Sequence, residues 1–138
     1  MTALSVEQEA MVALFQRHVE AELAGDLETT MATMTDDPHL NHVPTMAGGV
    51  GRGGVTHTQP IDWLLPGIPA TGKRVEMAVA VIVGFRNGKI SHEHIYWDQA
   101  SVLAQTGLLN PAGLPVGGAE IARKVVNPKM PSRRFSGG

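Results

Sequence analysis

The stretch Lys89-Ile-Ser-His-Glu-His-Ile-Tyr-Trp-Asp98, entered through Asn87-Gly88, decides how this chain is read. Asn-Gly is a strong hairpin signal, because a two-residue type I′ turn needs positive φ at both positions. The preceding run, Arg74 to Arg86, is rich in β-branched residues and forms the other arm. With a two-residue turn, Arg86 pairs with Lys89, Phe85 with Ile90, Val83 with His92, Val81 with His94, Val79 with Tyr96 and Met77 with Asp98. Side chains alternate along a strand with period two. Strict alternation therefore predicts one face carrying Met77, Val79, Val81, Val83, Phe85, Ile90, His92, His94, Tyr96 and Asp98, with Glu93 and Trp97 on the other. A one-residue bulge would bring Glu93, Ile95 and Trp97 inward instead. An apolar wall with titratable groups set into it suggests a lined cavity, because a buried polar group is costly unless paired.

Outward from the hairpin, the chain reads as two helices followed by loop-rich sequence. Ser5-Val-Glu-Gln8 fits a capping box, and Met11, Leu14, Phe15, His18, Val19 and Leu23 recur at helical spacing. Gly25 ends that helix and Asp26 caps the next, whose stripe holds Leu27, Thr30, Met31 and Met34. Glu22 falls one turn from His18 on the same face and can pair with it. Residues 35–72 are rich in Pro and Gly, with short strands expected at His39–Val43 and around His57–Leu65. The run Gly48-Gly-Val-Gly-Arg-Gly-Gly54 lacks the Gly-Lys-Ser/Thr ending of a phosphate loop and reads as a connection. Gln99–Thr106 reads as a closing helical turn capped by Gly107, and Ala119–Val126 as a further helical segment. The tail from Leu108 to Gly138 is otherwise extended and apolar enough to dock on its own body or a partner subunit.

Composition sets the outer limits. The chain has 138 residues, 43% hydrophobic and 17% charged, a globular composition. A formal net charge of −2, with no basic cluster larger than Arg133-Arg134, argues against a nucleic-acid partner. With no cysteine, the chain has no disulfide, zinc–thiolate site or thiol nucleophile. The acidic N-terminal stretch lacks the basic and apolar regions of a signal peptide, and no apolar run approaches the ~18 residues of a membrane span. A cytoplasmic protein without a membrane partner is expected.

Three segments taken in order resemble the SnoaL-like polyketide cyclases of the broad NTF2-like superfamily. They are Asp36-Asp-Pro-His-Leu-Asn-His-Val-Pro44 with Gly48-Gly49; Leu65-Pro-Gly-Ile-Pro-Ala-Thr-Gly-Lys73; and Phe85-Arg-Asn-Gly-Lys-Ile90 with Tyr96-Trp-Asp98 and Leu103-Ala-Gln-Thr-Gly107. The resemblance implies an α+β cone, a curved antiparallel sheet packed against the N-terminal helices, over residues 1–107, with 108–138 outside it. Relatives place a further helix and two long strands between the glycine cluster and Thr56. This chain joins the flanking parts almost directly at Val55-Thr56-His57-Thr58, so a shortened cone is expected, completed by a partner or left with an open pocket.

The resemblance also implies that the carboxylate ending the last strand, Asp98, is a general acid/base, with Asn41 or His42 in the first loop orienting water. His94 and Tyr96 are expected beside Asp98, His42 in support, and His39, Asn41, Trp63 and Phe85 at the substrate. Asp98 is also placed to cap the helix beginning at Gln99. The paired histidines His39/His42 and His92/His94 raise a metal reading, but the working expectation is no metal and no cofactor. The expected function is proton transfer on an apolar, oxygenated small molecule, as in cyclisation, isomerisation or epoxide opening. The alternative is a non-catalytic ligand-binding or assembly domain. Either version is expected to be a homodimer, since a sheet lacking neighbouring strands exposes an edge.

Overall fold

The structure is a computed structural model describing residues 3–50 and 64–132. Their elements, in order, are helices α1 (Val6–Ala24) and α2 (Leu27–Ala32), strands β1 (Met34–His42), β2 (Ala47–Val50), β3 (Val79–Arg86) and β4 (Lys89–Trp97), and helices α3 (Gln99–Thr106) and α4 (Ala119–Val126). The fold is α+β with N-terminal helices, as expected. The Val55–Thr56 junction, Trp63 and most of the strand expected near His57–Leu65 lie outside the described residues.

Local signals place the helices well. Ser5 and Gln8 make both bonds of the capping box, Gly25 closes α1 in the left-handed conformation, and Asp26 caps α2 by accepting from Thr29 N–H. One boundary moves. Met34, expected on the α2 stripe, opens β1 instead, because α2 ends at Ala32 with Thr33 as its C-cap.

The described strands form one sheet in the order β2-β1-β4-β3. Asn87 (φ 54°) and Gly88 (φ 70°) both take the positive φ of the two-residue turn joining β3 to β4. β1 and β2 pair antiparallel, whereas β1 runs parallel to β4. The sheet is thus mixed rather than antiparallel throughout. The two central strands are not consecutive in sequence, so no hairpin forces them to run in opposite directions. β2 recruits Gly48 and Gly49, which the sequence reading left in a connection; the β1 backbone supplies the partners that this glycine run needs to become a strand.

The contacts divide into two compact units, one drawn from Met1–Ile68 and Val81–Tyr96, the other from Pro69–Ala80 and Trp97–Gly138. In the first, Met34 and Ile90 are fully buried, with Leu14, Phe15, Met31, Val83 and Phe85 packed around them. In the second, α4 of the apolar tail meets α3. Ser101 Oγ donates to the Gly118 carbonyl at 3.0 Å, and Arg123 holds Glu76 through two bonds of 2.8 and 2.9 Å.

The register of β4 corrects the strict alternation expected from sequence. Ile90 is buried with Met34 in the core cluster against which Leu14 and Phe15 of α1 pack, and Glu93 meets His18 of the same helix. Two residues three apart cannot share a face of a regular strand, so the alternation slips by one between them. β3 agrees. Val83 and Phe85 face the core, so Gly84 faces away, and the His92 ring occupies the space that a Cβ on Gly84 would fill. The cause lies next door. β1 advances from Met34 to His39 while β4 advances only from Ile90 to His92. Pro38 lies in that interval and has no N–H to give a central ladder.

Candidate functional site

Beyond the slip, β1 and β4 run in step, with His39 opposite His92, Leu40 opposite Glu93, Asn41 opposite His94 and His42 opposite Ile95. Alternation then sorts the side chains. Leu40, His42 and Glu93 are buried, while His39, Asn41, His92 and His94 share the other, more accessible face. Three imidazoles meet there. The ring centroids of His92 and His94 lie 5.1 Å apart, and those of His39 and His94 lie 5.8 Å apart, edge to face. Ser91 Oγ lies 3.2 Å from His92 Nδ1. Tyr96 follows on the same face and is exposed.

An imidazole offers a donor and an acceptor nitrogen and exchanges protons near neutrality. A group of three, His92 and His94 half-buried and His39 exposed, with an amide beside it, can grip oxygen atoms of a ligand and move a proton.

The buried face holds a second cluster. His18 is fully buried, with Nδ1 2.7 Å from Thr33 Oγ1. The Thr33 hydroxyl donates its own hydrogen to the Thr30 carbonyl at 2.6 Å, so it accepts from His18 and the Nδ1 hydrogen is assigned. His18 Nε2 points at two carboxylates, Glu93 at 3.6 Å and Glu22 at 3.7 Å, and makes no hydrogen bond. Burial by itself lowers the pKa of the imidazole. The Glu93 carboxylate, joined by Glu22, outweighs that and raises it above the usual 6.5. Glu22 was expected beside His18; Glu93 and Thr33 were not.

The residues singled out from sequence separate. His39, Asn41 and His94 come together, joined by His92, which alternation had put on the same face as His94. His42 is buried on the opposite face from His94, because its odd spacing from His39 reverses its direction. Phe85 is a core wall beside Met34 and Ile90, and also edges a cleft with Met11, Leu14 and Asn87. Asp98 does not sit in a buried apolar wall. It is exposed and caps α3, its Oδ1 accepting from Ser101 N–H at 3.0 Å. No helix among the described residues is long and apolar enough to cross a membrane.

Residues 55–106 match the SnoaL-like polyketide cyclase family. The match covers less than half of the chain. The match begins at Val55, where the sequence reading placed the missing helix and strands, and its partial coverage is consistent with a shortened fold. Among solved structures, the chain is similar to an NTF-2 like protein of unknown function from Burkholderia xenovorans LB400, at 21% identity and a TM-score of 0.49, over 68% of this chain and 87% of that one. No curated protein matches.

Proposed function

We propose that this SnoaL-like protein binds an apolar, oxygenated small molecule on the face carrying His39, Asn41, His92 and His94, and that these imidazoles, not Asp98, exchange protons with it. The observation that carries the reading is the meeting of three imidazoles from two adjacent strands on an accessible face. One ring nitrogen donates to a carbonyl or enolate oxygen while a neighbouring ring takes the proton, the division of labour that cyclisation and isomerisation both need. The family's polyketide substrates fit this chemistry, with an apolar ring system and several oxygens. Asp98 supports the fold as a cap.

Calorimetric titration with a hydroxylated naphthoquinone, a polyketide-type probe, tests this. His94→Gln is expected to weaken binding about tenfold, the loss of roughly one well-placed hydrogen bond. Asp98→Asn is expected to bind as the unmodified protein does. Unchanged affinity in His94→Gln together with loss in Asp98→Asn would return the site to the end of the last strand.

The same reading includes a homodimer. β3 is an edge of the sheet among the described strands, and Val81 and Ile82 stand exposed along it. Two copies of β3 related by a two-fold axis can pair antiparallel and cover both edges at once. Light scattering is expected to give about 29 kDa, twice the 14.7 kDa chain, and Ile82→Lys to give the monomer. A monomeric mass for the unmodified chain at micromolar concentration contradicts it.

A further inference from the structure

We propose that His18, Glu22 and Glu93 form a divalent-metal site, separate from the histidine face. One ligand atom from each of the three lies within 4.8 Å of the others. Carboxylates gather on protein surfaces for many reasons; the buried imidazole is what marks this group. His18 is fully buried, and its hydrogen bond to Thr33 directs Nε2 at the two carboxylates, where it has no hydrogen-bond partner. In the neutral ring the Nδ1 hydrogen is the only one, so Nε2 presents a lone pair to two negative groups. That arrangement is repulsive unless a cation sits among them, either a proton on Nε2 or a metal ion.

The geometry suits the metal. Ligand atoms about 2.0–2.2 Å from one ion at tetrahedral or octahedral angles lie roughly 3–3.5 Å apart. The observed 3.6 and 3.7 Å need only small side-chain rotations to close on such an ion. The Nδ1 bond to Thr33 is the outer contact that a metal-binding histidine ordinarily makes, setting its tautomer and aim. One imidazole with two carboxylates is a donor set for zinc, manganese or ferrous iron. Glu93 is closed off, whereas the Glu22 side chain is one-third exposed and gives the ion its way in.

Untagged full-length protein, dialysed against chelator and then against buffer, is titrated with zinc and with manganese chloride, followed by calorimetry and thermal melting. The expected result is one equivalent bound with a higher melting temperature. Glu22→Gln and Glu93→Gln are each expected to weaken binding at least tenfold, while Glu20→Gln, on the exposed side of α1, leaves it unchanged. Glu22 is at the solvent edge, so its variant keeps the test valid if Glu93→Gln does not fold. Two results overturn the site: no metal bound, or zinc bound equally well by Glu22→Gln, which would place the ion on the other histidines. The three residues would then be an imidazolium held between two carboxylates.

Discussion

His18→Leu is expected to destabilise the metal-free protein by about 3–5 kcal/mol, the range for removing one partner of a buried ion pair. The substitution keeps the apolar volume between α1 and the sheet but leaves the Glu93 carboxylate buried with no imidazole before it. It also takes away the group to which Thr33 Oγ1 is bonded. The effect carries a pH signature. The folded-state pKa of His18 lies above its ordinary 6.5. The stability it contributes is therefore fully present below about 6.5 and is lost as the pH rises through the raised value. Urea denaturation with chelator present, at pH 6 and pH 9, is expected to show stability falling with pH in the unmodified protein through this group. In His18→Leu that contribution is absent, so the gap between the two proteins narrows on the alkaline side.

Met34→Ala is expected to cost about 2–5 kcal/mol, and Met34→Leu less than about 1.5 kcal/mol. Met34 is fully buried at the start of β1, pairs with Ile90 of β4, and is enclosed by side chains of α1, α2 and β3. Removing its side chain opens a cavity where four elements meet, and none can collapse into it without moving the others. Leucine restores nearly all the volume. Urea midpoints of the two variants measure the difference. Equal, small losses would mean that Met34 is peripheral and that the sheet meets the helices elsewhere.

What the sequence made legible was local. The capping box at Ser5–Gln8, the Gly25 and Asp26 boundary, the Asn87-Gly88 turn and the Asp98 cap each depend on residues within a few positions of one another, and each stands as read. The parallel pairing of β1 with β4 depends on residues some fifty positions apart and leaves no short-range mark. Recruitment of Gly48 and Gly49 into β2 is a tertiary effect that overrides the low strand propensity of glycine. The slip between Ile90 and Glu93 had one visible cause, Pro38. That cause acts through a neighbouring strand whose partner the sequence did not reveal. Its consequence is large, since a one-residue slip exchanges the faces of every later residue. It moves Glu93 to the helices and His92 and His94 to the accessible side, so strict alternation groups the histidines rightly but on the wrong face, and the one-residue bulge is the alternative that gives the face found.

The slip is therefore the claim on which both the histidine face and the buried cluster rest, and the chain's lack of cysteine makes it directly measurable. Glu93→Cys and His94→Cys, prepared separately, are treated with a thiol reagent in native buffer and again in denaturant. The account predicts that the introduced thiol at position 94 reacts at a rate close to that of the unfolded chain. At position 93 it is protected until the protein unfolds. Fast reaction at 93 with protection at 94 would mean that β4 alternates without interruption from Ile90, and would place the histidines against the helices.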